Sequence, residues 1–247
     1  MKLRNYIGKA ALLAAASFIA SAASAETFGF ANGGSANVDT YGNVWSFTGS
    51  SGTKAEVTGY SYDGTTLYTG WVRQYSGYGL GLVNSNGDDS HTVDNSGRTD
   101  ILIIQFDKAV TVSQLGFTAW GDTDVSYAIG VTNVNINSTL SFGNWAALDA
   151  AFGSFQESNG NNLPDGTYFT RDVTSQASGN LFFVSASLTQ SGDYNWRTQT
   201  GGSDFVKLYG LTETPAVPEP ASWAMMIGGL AVVGSAMRRR KTEVSFA

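Results

Sequence analysis

The chain has 247 residues, 42% apolar and 14% charged, a composition that excludes general disorder and a solvated charge-rich chain. With no Cys and one His it has no disulfides, thiol catalysis, Cys-ligated zinc, iron–sulfur cluster or multi-histidine centre. Residues 26–217 hold 18 acidic against 7 basic residues, a net of −11, which makes nucleic acid a poor partner and suits solubility outside the cell or cation binding.

The first 25 residues read as a secretory signal helix. Lys2, Arg4 and Lys9 form a basic start, residues 10–20 are apolar, and Ala23-Ser24-Ala25 is an A-x-A cleavage site. The apolar run is too short for a good membrane span. The expected mature chain begins at Glu26, after passage through the secretion machinery and signal peptidase. The folded domain then lies beyond the inner membrane and must be stable by burial alone, without cross-links.

Residues 26–211 show short β-type runs separated by Gly, Asn, Asp and Ser. The runs are Val44–Thr48, Lys54–Tyr60, Thr66–Arg73, Gly79–Val83, Ile101–Asp107, Val110–Trp120, Val125–Val131, Tyr168–Val173, Leu181–Ser187 and Phe205–Leu211. Ile101-Leu102-Ile103-Ile104 is apolar on both faces, so it reads as a central strand buried between layers. The alternation of Val110, Val112 and Leu115 shifts near Gly116, which suggests a bulge. Trp145, Leu148 and Phe152 follow Asn144 at helical spacing, so a helix of two or three turns with Asn144 as N-cap is expected. The fold class is therefore all-β: one antiparallel β-sandwich of jelly-roll type with one short helix. Residues 212–217 read as a linker.

Four aspartates, Asp88, Asp89, Asp94 and Asp100, lie in the loop that begins at Asn84. Calcium takes six to eight oxygen ligands, and such a loop could supply several. Asp122 and Asp124 add a pair two residues apart. Turn chemistry explains the same residues, because Asp and Asn side chains bond the local backbone. No cofactor is required, and calcium is the one candidate. His91, the lone imidazole, reads as structural, bonded to a carboxylate such as Asp94 or Asp100. Aromatic faces stack on sugar rings, and Tyr62, Tyr194 and Trp196 stand in polar stretches where they could do so. Glycoside hydrolysis would need two convergent carboxyl groups, and no spacing identifies a pair. No catalytic residues are assigned, and the chain is not expected to be an enzyme.

The C-terminal region has three parts in order. Pro218-Glu219-Pro220 is followed by 17 uncharged residues, 221–237, with Trp223 near their start, and then by Arg238-Arg239-Arg240-Lys241. Seventeen residues make a transmembrane helix of about 25 Å, with the basic cluster cytoplasmic and residues 242–247 as a cytoplasmic stub. The two prolines favour extended backbone ahead of the membrane, which a processing enzyme can grip.

This tail resembles the PEP-CTERM sorting signal in its PEPxxWA form. The match rests on Pro218, Glu219, Pro220, Trp223 and the cluster Arg238, Arg239 and Arg240. The resemblance implies recognition and cleavage by exosortase in a Gram-negative bacterium. The protein would be held briefly in the inner membrane with its domain in the periplasm, then moved to the cell surface or medium. It also implies association with exopolysaccharide or biofilm. Residues 75–130, with Tyr78–Asn84, His91–Asn95 and Trp120–Val125, are similar to exosortase-dependent surface proteins. That likeness implies a surface β domain and transfers no catalytic residue. A sugar-binding, lectin-like module, with or without calcium, is the alternative role. A polysaccharide hydrolase is the third.

Overall fold

The computed structural model describes residues 25–85, 91–174, 177–188, 203–215, 227–231 and 234. Among them, the first strands are β1 (Glu26–Gly29), β2 (Ser35–Ala36), β3 (Trp45–Thr48) and β4 (Lys54–Tyr62). Next come β5 (Leu67–Thr69), β6 (Trp71–Tyr75), β7 (Gly79–Val83), β8 (Val93–Asp94) and the long β9 (Thr99–Ala119). After β10 (Val125–Gly130) comes the helix α1 (Trp145–Asp149). The chain then forms β11 (Gln156–Ser158), β12 (Tyr168–Asp172), β13 (Gly179–Ala186) and β14 (Phe205–Pro215). The fold is mostly antiparallel β.

β9 organises the molecule because each of its two halves has partners on both sides. Its first half pairs with β4 on one side and β13 on the other. Its second half pairs with β12 and β14. β14 in turn carries β1, β7 and β8. One core draws on both halves: Val57, Leu102, Ile104 and Phe182 from the first, and Leu80, Leu115, Phe117 and Leu208 from the second. Each such side chain stabilises by about 1.5–3 kcal/mol when fully buried, which is how a chain without Cys holds together.

The run at residues 101–104 behaves as its composition predicts. Leu102 and Ile104 enter the main core. Ile101 and Ile103 face a second cluster with Tyr60, Leu148, Phe152 and Phe183, and α1 lies over that face. Asn144 caps α1, its Oδ1 accepting from Ala147 N at 2.9 Å. The helix is shorter than expected: after Asp149 the chain tightens, and Phe152 bridges to Gly130 instead of continuing the helix.

Beyond shifts of one or two residues at several strand ends, three boundaries differ from the sequence reading, each for a packing reason. Ile101–Asp107 and Val110–Trp120 are one strand, because the exposed residues Asp107, Lys108 and Ala109 pass between the halves without a turn. Thr66–Arg73 is two strands broken at Gly70, where a Cβ would meet Leu82 at 2.5 Å. β14 runs on to Pro215, so Thr212 and Glu213, expected in a linker, are sheet residues paired with β9 and β1. The bulge expected near Gly116 is present opposite it: Tyr209 is the extra residue of β14 between the Leu208 and Gly210 pairs.

The signal segment and most of the predicted transmembrane segment lie outside the described residues. Residues 227–231 are helical. Among the described residues no helix is long and apolar enough to cross a membrane.

Candidate functional site

The densest polar site forms where the loop after β9 meets the start of β14. Residues 120–124 run beside Ser203–Val206: Phe205 N donates to Asp122 O at 3.0 Å, and Trp120 N donates to Phe205 O at 2.8 Å. This brings together Asp122, Asp124 and Asp204, with carboxylate oxygens all within 4.8 Å of one another. Asp204 is fully buried and Asp124 nearly so.

Asp204 is held from both sides. One carboxylate oxygen accepts from Asp124 N at 3.1 Å. The other accepts from Asn95 Nδ2 at 2.8 Å and from Ser187 N at 3.2 Å. Asp204 N donates back to Asn95 Oδ1 at 2.9 Å, so the two residues bind reciprocally. Ser187 Oγ donates to Glu157 Oε2 at 3.1 Å, which extends the network to β11. Burial first, then the charges of Asp124 and Asp122, push the Asp204 carboxyl up to about 7. Asp124 accepts from Gly160 N and feels the guanidinium of Arg171, which donates to Thr123 Oγ1 at 3.0 Å.

Chemically, three close carboxylates must share their charge with a proton or a cation. The donor set is the all-oxygen kind that calcium prefers. Asp122, Asp124 and Asp204 are the described residues able to hold one. Both oxygens of Asp204 already accept hydrogen bonds, so the same geometry also serves with a proton on Asp204.

The acidic loop read from the sequence is arranged differently. Asp88 and Asp89 lie outside the described residues. Asp94 is buried, accepting from Thr92 Oγ1 and Ser96 N, both at 3.0 Å. Asp100 is buried and accepts from Asn84 Nδ2 at 3.3 Å. Neither belongs to the carboxylate cluster found among the described residues. Asp122 and Asp124 carried a visible signal in their spacing. Asp204 carried none, because a parallel bridge across 82 positions makes it their neighbour. His91, at φ 55°, stacks on Tyr75 with ring centres 6.0 Å apart.

Aromatic side chains form a second candidate surface. Tyr62 is stacked on Trp145 at 4.4 Å, so one face of its ring is already covered. Tyr194 and Trp196 lie outside the described residues. A group of exposed rings stands elsewhere, on β12 and β14 and beside the ends of β7 and β9. Tyr168 and Tyr78 are 56% and 47% exposed. Tyr168 crosses the bare backbone of Gly116 to meet Tyr209 edge-on at 4.9 Å. Tyr78 meets Trp120 edge-on at 5.3 Å, and Lys207 Nζ sits 3.9 Å from the Trp120 ring centre. No local spacing could reveal this group, because β12, β14 and the residues flanking β7 and β9 supply it.

Residues 216–241 match the PEP-CTERM protein-sorting motif. The match begins one residue after β14 ends at Pro215. Pro218, Glu219, Pro220, Trp223, Arg238, Arg239 and Arg240 fall within it and lie outside the described residues. Of the signal-cleavage residues, Ala23 also lies outside the described residues, and Ala25 is described and exposed. No curated protein and no solved structure matches the chain.

Proposed function

We propose that this chain, which carries a PEP-CTERM protein-sorting motif, is a non-catalytic surface or extracellular-matrix protein delivered by exosortase and associated with exopolysaccharide. The observation that carries the reading is the motif at residues 216–241. It implies an exported protein, transiently anchored in the membrane and processed by exosortase. Signal peptidase would free Glu26 after Ala25, and the 221–237 segment would hold the domain in the periplasm until cleavage. The two halves that share β9 are read as the layers of a jelly-roll-like sandwich.

The test uses the native full-length gene in its host. Replacing Pro218, Glu219 and Pro220 with Ala should leave the protein in the membrane fraction with its C-terminus intact. Release of the triple variant at the unmodified rate would remove the motif's role.

A second reading, sugar binding, is favoured by the outer aromatic face. Tyr78, Trp120, Tyr168 and Tyr209 offer ring faces and hydroxyls over a glycine floor. Retention of the protein on the producer's polysaccharide should fall severalfold in Tyr168→Ala and Tyr78→Ala. Unchanged retention in both would clear this face of a sugar role.

A further inference from the structure

Glu26 and Glu213 sit directly opposite each other on β1 and β14, and both are buried, at 1% and 0% exposure. Two carboxylates facing each other inside a sheet repel unless something neutralises one. The turn between β3 and β4 supplies neutral donors only. Ser51 N, Ser51 Oγ and Thr53 Oγ1 donate to Glu26, and Thr53 Oγ1 also lies 3.2 Å from Glu213 Oε1. Glu213 Oε2 is buried without a hydrogen-bond partner in the described structure. Lys108 on β9 is the one described cation whose charge favours ionised Glu213, and its side chain is exposed.

With the leader attached, a shared proton resolves the pair. Burial, then the hydrogen bond to Glu26 and its charge, push Glu213 up to about 7. For Glu26, burial acts the other way, but the bonds from Ser51 and Thr53 overcome it and hold the group down to about 2. These positions acquire meaning from where the chain is cut. Glu26 is the residue expected to become the new N-terminus, and Glu213 stands three positions before the sorting motif.

We propose that removal of the leader completes this buried site: the α-ammonium created on Glu26 becomes the counter-ion of the Glu26–Glu213 pair and locks the first strand to the strand leading into the sorting motif. Hydrolysis of the Ala25–Glu26 amide consumes one water. Ala25 leaves with a carboxylate, and the freed Glu26 amine carries three protons and one positive charge. That charge is created on the backbone of Glu26, the residue paired directly with Glu213, and replaces the shared proton. The unprocessed chain keeps the proton and the weaker strand, so maturation and tightening of the domain are one event.

This rests on the cleavage site given under Proposed function, and the experiment separates the two. Full-length protein is purified in detergent in its processed form and as Ala25→Tyr, which blocks cleavage. Mass spectrometry reads each N-terminus. Melting temperature is then followed from pH 5.5 to 7.5, and the difference between the two forms is taken, so that Asp204, common to both, cancels. The blocked form should lose about 2–4 °C or more relative to the processed form as pH rises. Glu213→Gln in both backgrounds should abolish that difference. A second measurement needs no blocked form: the pH dependence of acylation of the Glu26 amine should be displaced above its usual value of about 8 and return there in Glu213→Gln. Glu26 at the N-terminus with parallel pH profiles and an ordinary amine overturns the proposal alone. Any other N-terminus overturns the cleavage site and the proposal with it.

Discussion

Asp204 concentrates the electrostatics of the β9–β14 junction. Its carboxyl is raised from 3.8 to about 7, so the folded state holds more protons than the unfolded chain across that interval. Stability contributed by this group is therefore full at low pH and declines as pH rises from about 4 to 7. Asp204→Asn should remove that part of the slope. It should also cost about 1–3 kcal/mol at pH 5, because an amide NH2 then faces the donors of Asn95 and Ser187 or of Asp124. Urea unfolding at pH 5 and pH 8 reads both effects, and a slope equal to wild type would contradict the assignment. Two of the three aspartates were legible in the sequence: Asp122-x-Asp124 is visible as spacing, but Asp204 joins them only through tertiary pairing. Glu26 and Glu213 illustrate the same limit, since one reads as a terminus and the other as part of a polar linker until the register places them opposite each other.

Elements with strong local signals were readable. Residues 101–104 announce a strand buried on both faces, Gly79–Val83 is observed as expected, and Asn144 announces the cap of α1. Continuity was harder to read. Asp107-Lys108 has the composition of a turn, yet β9 passes straight through it because the strand is paired up to Phe106 before it and from Val110 after it. Leu102→Ala should cost about 2–5 kcal/mol by opening a cavity in the shared core. Asn144→Ala should cost about 1 kcal/mol, from loss of the cap. Gly116→Ala separates the aromatic surface from the core. The added Cβ would stand 3.0 Å from the Tyr168 hydroxyl, so the ring must shift. If this surface binds sugar, Gly116→Ala lowers retention on the polysaccharide with little change in melting temperature. Loss of the fold, or full retention, would count against it.

At the scale of the molecule, the two ends of the domain meet. β1 starts beside the point where β14 finishes, so the expected leader junction and the sorting motif lie at the same end of this strand pair. The motif begins at residue 216, one position beyond the last strand residue. Delivery was legible because a sorting tail is a linear pattern of prolines, apolar residues and arginines. What the domain binds was not legible, because its polar and aromatic groups converge only on folding. The most direct measurement is the intact mass of the protein from producing cells and medium, with and without the host's exosortase. Processing predicts loss of the segment beyond Pro218–Pro220 in the normal host and its retention when the enzyme is missing. A C-terminus at Ala247 in both would contradict exosortase-dependent sorting.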